Sequence, residues 1–253
     1  MSVTIGEVYR RIDEFAPFAL QEEWDNAGIL AGSTNQPVED ILCALDLNEY
    51  VLREAIGKKA QLIVTHHPIL FRGRKNLRED DGEGRLLCGL VRSGVGLIAA
   101  HTNFDNAVPG VNDALAAALE LRDVQAFENG MRIGTTDIPT LGAFRSHAEE
   151  ALGGPVRCYG EDGRRIARVA LLGGAGGDFA SQARQLGTEV YLTGEIAHHK
   201  AWDAYQEGMC VLEAGHAATE LPAISMLAGA LQIGPNGVKW NVRVHISEAE
   251  MFR

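Results

Sequence analysis

Residues 39–68, EDILCALDLNEYVLREAIGKKAQLIVTHHP, carry the pattern on which the fold turns. EDILCALDL reads as a strand, NEYVLREAIGKKA as a helix and QLIVTHHP as a second strand that stops abruptly. His66 and His67 stand at that stop, and Pro68 forces His67 away from helical backbone. Successive residues of a regular strand point to opposite faces, but a strand end turning into a loop can bring both rings to one edge.

Downstream the alternation continues. RLLCGLVRSG reads as a helix and VGLIAA as a strand ending at His101, with Asp105 four residues on. Pro109 and Gly110 then separate a loop from the next helix. A second block repeats the order: RVALLGG, helix, EVYLTGEIAHH, helix, CVLEAGH. Each block gives strand, helix, strand near His-His, helix, strand ending in His, which indicates an internal duplication. Alternating strands and helices predict an α/β layered fold with functional residues on loops at strand ends. A lone histidine is usually structural, and His147 and His245 keep that reading. Five histidines at equivalent strand ends, His66, His67, His101, His198 and His199, joined by His216, are better explained by a shared cleft.

In CVLEAGHAATELPAISML, residues 210–227, His216 and Glu220 stand four apart and share a helix face. From this segment alone two readings stay open, a metal-binding pair or an ordinary helix start with a solvated first-turn carboxylate.

The remaining chain is less specific. TIGEVYRRIDEFAP is helical, with Val8, Ile12 and Phe15 on one face, Thr4 as N-cap and Pro17 marking the stop. Asp25-Asn26-Ala27-Gly28 reads first as a turn. LFRGRKNLREDDGEG reads as a solvated loop, in which Arg72, Arg74 and Lys75 are candidates to meet an anionic substrate group. Residues 122–142 are connecting structure with short strands. The glycines at 173, 174, 176 and 177 satisfy neither GxGxxG nor GxxxxGK[ST], so a tight strand-to-helix turn capped by Asp178 is expected. The end reads as a helix through Leu231, a Gly-Pro-Asn-Gly turn, and a strand VKWNVRVHI with His245 on its wet face.

The bulk composition bounds these readings. A chain of 253 residues with 46% hydrophobic and 23% charged content has the make-up of a soluble globular protein. No apolar run is long enough to cross a bilayer, and charges at Glu7, Arg10, Arg11 and Asp13 exclude a signal peptide from the first residues. The four cysteines are scattered without a CxxC pair, so reduced thiols and a cytoplasmic location are expected. A net charge of -11 opposes nucleic-acid binding but not a small phosphorylated ligand.

WDNAGILAG, IVTHHPILF, AAHTNFDNAVPGVNDALA, YLTGEIAHH and EAGHAATE occur in the order found in the NIF3-like family, the GTP cyclohydrolase I type 2 homologues, which this chain resembles over nearly its whole length. The resemblance implies two similar, intertwined α/β domains, here divided as 1–125 with the His-His and Asp elements and 126–253 with the HxxxE element, the C-terminal segment packing back on the first half. It implies a dinuclear metal centre with His66, His67, Asp105, His216 and Glu220 as ligands, facing the cavity of a toroidal homohexamer. His101 matches a histidine beside the site. His198 and His199 match cavity residues, and these three are the candidates for proton shuttling. The chain is too short for the mid-chain domain of some relatives and resembles the compact form. Three imidazoles and two carboxylates suit two divalent ions sharing a bridging carboxylate, whether Zn, Fe, Mn, Co or Ni. The expected function is a metal-dependent hydrolase, a GTP cyclohydrolase or a phosphoesterase acting on a nucleotide-like substrate. The alternative is a non-enzymatic metal-binding regulatory or scaffold protein. No membrane partner is expected.

Overall fold

The computed structural model describes residues 2–234 and 237–249. In chain order the elements are β1 (Val3–Thr4), α1 (Ile5–Phe15), β2 (Gly28–Ala31), β3 (Pro37–Val38), β4 (Asp40–Ala44), α2 (Glu49–Gly57), β5 (Leu62–Thr65), α3 (Gly82–Ser93), β6 (Gly96–Ala99) and α4 (Thr102–Asn106). There follow α5 (Val111–Ala118), β7 (Arg122–Ala126), β8 (Arg132–Thr135), α6 (Leu141–Leu152), β9 (Arg157–Tyr159), β10 (Arg168–Leu172), α7 (Ala180–Gln185) and β11 (Val190–Thr193). The chain continues through α8 (His198–Gln206), β12 (Cys210–Glu213), α9 (His216–Leu231) and β13 (Arg243–Ile246). Contacts divide the described residues into two compact units, one formed by 2–107 with 224–234 and 237–249 and one by 108–223, so α5 and β7 go with the second unit although they lie largely before residue 126. No helix among the described residues is long and apolar enough to cross a membrane.

The first unit is built on the sheet β13-β4-β5-β6-β2, in which β13, β4, β5 and β6 run parallel and β2 is antiparallel to β6. Every residue of β4, β5 and β6 is buried, as a sheet covered on both faces requires. Leu42, Ala44, Ile63 and Leu97 on one face pack under Val51, Leu52 and Ala55 of α2 and Leu86 and Leu90 of α3. Each fully buried aliphatic side chain there contributes about 1.5–3 kcal/mol. The caps set the helix starts: the Asn48 side chain accepts from Tyr50 N and Val51 N, and Thr4 and Glu7 form a reciprocal capping box on α1. Register aligns Ala44, Thr65 and Ala99, so the residues that follow these three strands emerge at one sheet edge.

The second unit holds the sheet β7-β8-β10-β11-β12-β9, with β10, β11 and β12 parallel and β7, β8 and β9 antiparallel to their neighbours. Strand alternation sorts its apolar residues onto two faces. Val169, Leu171, Val190 and Leu192 pack against Leu115 of α5 and Phe144, Ala148 and Leu152 of α6. Ala170, Leu172, Tyr191 and Val211 pack against Ala180 and Ala183 of α7 and Ala201 and Ala204 of α8.

The duplication is visible in the sheets. β4-β5-β6 and β10-β11-β12 share order and direction, and each is flanked beyond its third strand by an antiparallel strand that precedes it in sequence. The Ala100 N–H donates to the Thr65 carbonyl as the Ala214 N–H does to Thr193. Aligning Thr65 with Thr193 corrects one sequence expectation: the counterparts of His66-His67 are Gly194-Glu195. His198 and His199 lie further on, in the first turn of α8, because β11 ends at Thr193.

Two other expectations change. The final strand covers only 243–246; ahead of it Lys239 makes a single bridge to Ile233, and the Gly-Pro-Asn-Gly turn lies partly outside the described residues, which omit 235 and 236. Asp178 caps neither the 3-10 turn it lies in nor α7; its carboxylate pairs with Lys200 instead.

Candidate metal centre

In the first unit the edge beyond β4, β5 and β6 gathers three imidazoles. His66 Nδ1 lies 2.8 Å from the Ala100 carbonyl oxygen, His67 Nδ1 2.9 Å from Asp46 Oδ1 and His101 Nδ1 2.7 Å from Asp25 Oδ1. A carbonyl or ionised carboxylate can only accept, so each Nδ1 carries a proton, and Nε2 is the ring nitrogen turned away from these partners. The ring centroids are 4.9, 5.2 and 5.5 Å apart, and one nitrogen from each ring lies within 4.8 Å of the others. Asp105 follows His101 by one turn of α4, its N–H donating to the His101 carbonyl, and its Oδ1 comes 3.7 Å from His66 Nε2. Here the structure brings together His66, His67, His101 and Asp105.

Asp25, read from sequence as a turn residue, holds this group in place. Its side chain is fully enclosed; Oδ1 accepts from His101, and Oδ2 accepts from the Thr102 N–H at 3.0 Å and hydroxyl at 2.5 Å. Burial pushes its carboxyl up, but hydrogen bonds from His101 and Thr102 prevail and hold it at about 2, so it is ionised at neutral pH. Asp46 does for His67 what Asp25 does for His101. Neither residue carries a local sequence signal, since the partners lie 76 and 21 residues away. The available hint was positional: Asp46 lies just beyond β4, beside β5, after which His66 and His67 follow.

In the second unit His216 opens α9 directly beyond β12, and Glu220 follows one turn later. His216 Nε2 lies 3.2 Å from Glu220 Oε1, and Nδ1 lies 3.4 Å from Glu195 Oε1. Glu220 is buried with 6% of its side chain exposed. The glycine-rich turn makes room for it. Gly174 has φ +61°, and a Cβ there would stand 2.3 Å from Glu220 Oε1; a Cβ on Gly194 would stand 2.8 Å from Thr219 Oγ1 and 2.9 Å from His216 Cα. The Gly174 N–H donates to Thr219 Oγ1 at 3.0 Å, locking the turn onto α9. These glycines therefore serve the His-Glu pair, and Glu195 is a third polar residue that its sequence context did not reveal.

The other predicted residues fall as follows. His198 and His199 are exposed on α8, the His198 ring 6.0 Å from Tyr159. Arg72, Arg74 and Lys75 line a cavity of about 680 Å³ with Asp25, Asn26 and Phe71. Arg74 is committed to Asp81 at 2.8 Å and Glu83 at 2.6 Å, which makes it a staple of its own loop. Cys43 lies in β4 and burial pushes its thiol up to about 12, so it offers no thiolate. The donors are thus imidazole nitrogens and carboxylate oxygens, a set suited to divalent first-row transition ions, with the hydrogen-bonded Nδ1 atoms orienting the rings as in metal sites.

The chain has relatives in both sequence and fold. A Streptomyces coelicolor protein named GTP cyclohydrolase 1 type 2 homolog is 32% identical over 259 residues, covering 96% of this chain and 91% of that one. A Clostridium acetobutylicum protein of the same name is 28% identical over 259 residues, covering 98% and 97%. Among solved structures, a Bacillus cereus protein related to NIF3 matches with TM-score 0.92 at 23% identity over 99% of this chain and 98% of that one. A hypothetical protein of Staphylococcus aureus matches with TM-score 0.91 at 27% identity over 100% and 99%. Residues 3–251 match the sequence pattern of one family, and the chain belongs to it: Duf34/NIF3 (NGG1p interacting factor 3).

Proposed function

We propose that this protein is a metal-dependent hydrolase whose His66, His67 and Asp105, with His216 and Glu220, hold two divalent ions. The observation that carries this reading is the clustering of the His66, His67 and His101 rings, with centroids 4.9 to 5.5 Å apart, in which Nδ1 of His66 and of His67 is held by the Ala100 carbonyl and by Asp46, and Asp105 Oδ1 comes 3.7 Å from His66 Nε2. When bound, such a pair of ions supplies a water acidified toward neutral pH and polarises the bond to be cleaved. The chain's own residues orient and move protons. His101 lies beside the ligand histidines, its ring oriented by the ionised Asp25 that accepts from Nδ1; it is the leading general base. His198 and His199 are the further candidates for proton transfer.

The names of the relatives suggest GTP ring opening as the reaction, and phosphate-ester hydrolysis would use the same residues. Purified protein with its native metal, offered nucleotides and phosphodiesters, is expected to turn over at least one, with elemental analysis giving close to two ions per chain. His67→Ala and Glu220→Ala should each abolish turnover. Absence of any turnover, or activity undiminished in both variants, would sink the hydrolase reading and leave metal-binding regulation or scaffolding.

A further inference from the structure

Beside the imidazole cluster the first unit leaves two large aromatic side chains in solvent. Trp24 is 57% exposed and Phe71 44% exposed; their rings are 5.7 Å apart, and each lies 6.2 Å from the ring of His101. Exposed aromatics forgo burial, yet these two are held in place. Asn26 Nδ2 donates to the Leu70 carbonyl at 2.5 Å, tying the turn that follows Trp24 to the loop that carries Phe71. The adjacent Asp25 is anchored on His101 and Thr102.

The same loop supplies positive charge. Arg74 is spent on Asp81 and Glu83, whereas Arg72 and Lys75 are exposed on the cavity wall and enter no ion pair among the described residues. Two uncommitted cations stand out locally in a chain of net charge -11. Both oxygens of the one carboxylate lining the cavity, Asp25, are already engaged. An aromatic pair next to free cations fits a ligand with a planar ring to stack and an anionic group to pair.

We infer that the cavity lined by Phe71, Arg72 and Lys75, together with Trp24 beside Phe71, is the subsite for a substrate joining a planar aromatic ring to a phosphate, the chemistry of a nucleoside monophosphate. This rests on the hydrolase reading, for it makes the cavity the substrate-holding part of that site. Phe71 and Trp24 stack the ring, Arg72 and Lys75 pair with the phosphate, and Arg74 shapes the loop without touching ligand.

The test is binding to the full chain stripped of metal by chelator, so that turnover plays no part. Guanosine and adenosine monophosphates, their nucleosides and inorganic phosphate are titrated by calorimetry, with tryptophan emission as a second readout. At least one monophosphate is expected to bind saturably, tighter than its nucleoside or phosphate alone, and to quench emission, the quench disappearing in Trp24→Phe. Phe71→Ala should weaken nucleotide and nucleoside alike by about tenfold, with recovery in Phe71→Tyr. Arg72→Ala with Lys75→Ala should weaken the nucleotide by tenfold or more and spare the nucleoside. All these side chains are exposed, and circular dichroism checks that the variants fold. Saturable binding by neither monophosphate, or binding unchanged in Phe71→Ala and in the double variant, overturns the subsite. Binding as expected without turnover of any substrate by metal-loaded protein overturns the hydrolase reading alone.

Discussion

The proposed role of His67 as a metal ligand turns on Asp46. Its carboxylate holds Nδ1 at 2.9 Å and thereby sets both the tautomer and the direction of Nε2. Asp46 is 44% exposed, so Asp46→Ala should leave the fold intact. The expected result is a loss of about 10–100-fold in divalent-ion affinity, measured by competition with a chromophoric chelator. Affinity equal to that of the unaltered chain would reduce Asp46 to a surface carboxylate. At this scale the sequence pointed, through the family resemblance, to His66, His67, Asp105, His216 and Glu220 as the residues proposed to hold metal. Asp25, Asp46 and Glu195 were not legible, because their role exists only once distant segments meet. Asp25 in particular sits in a stretch whose local turn chemistry is sufficient to account for it.

Elements were readable wherever apolar periodicity and caps agree, as in β4-α2-β5 and in α1 with its Thr4 cap. In the glycine-rich turn the expected Asp178 cap is absent, because Lys200, 22 residues on, takes its carboxylate. The turn itself yields a sharp contrast. Gly174→Ala puts a Cβ against Glu220 at positive φ and should cost about 1–2 kcal/mol from backbone strain alone, with metal content falling as Glu220 is displaced. Gly173→Ala makes only contacts of 3.4 Å or more and should be mild. Thermal melts and elemental analysis of the two variants check this; equal behaviour would remove the packing argument.

β13 offers a second test at this scale. Arg243 and His245 converge on Asp40 of β4, with Glu39 also 3.9 Å from the Arg243 guanidinium. The hydrogen bond from Arg243 chiefly holds the Asp40 carboxyl below its ordinary 3.8, burial opposing and His245 assisting. A carboxylate with a lowered folded pKa stabilises the native state above its unfolded value and loses that contribution as pH falls through the folded value. Denaturant unfolding of Asp40→Asn should therefore fall short of the unaltered chain near neutral pH, with the gap narrowing as pH drops below about 3.8. A gap independent of pH would mean that the ion pair does not tie β13 down.

For the whole molecule the order of strands, helices and repeated blocks was legible because alternation survives even where residue identity between the blocks is weak. The division into units was less so. No composition shift marks residue 108 or 224, and the boundary follows from which sheet each segment joins. Assembly is a separate matter, expected from the family resemblance. Light scattering of the purified protein should give a mass about six times the 27.3 kDa of one chain, and a monomer would remove the ring and its internal cavity.

The placement of β13 also governs how the chain is made. β4 is hydrogen-bonded to β5 on one side and to β13 on the other, yet the partners Asp40 and Arg243 are 203 residues apart. During synthesis the apolar β4 must wait with one edge open while all of 108–223 emerges, and an open edge is a template for pairing with other chains. The charged Glu39 and Asp40 stand at the start of that edge as guards. The unit that leaves the ribosome first is thus the last to be completed.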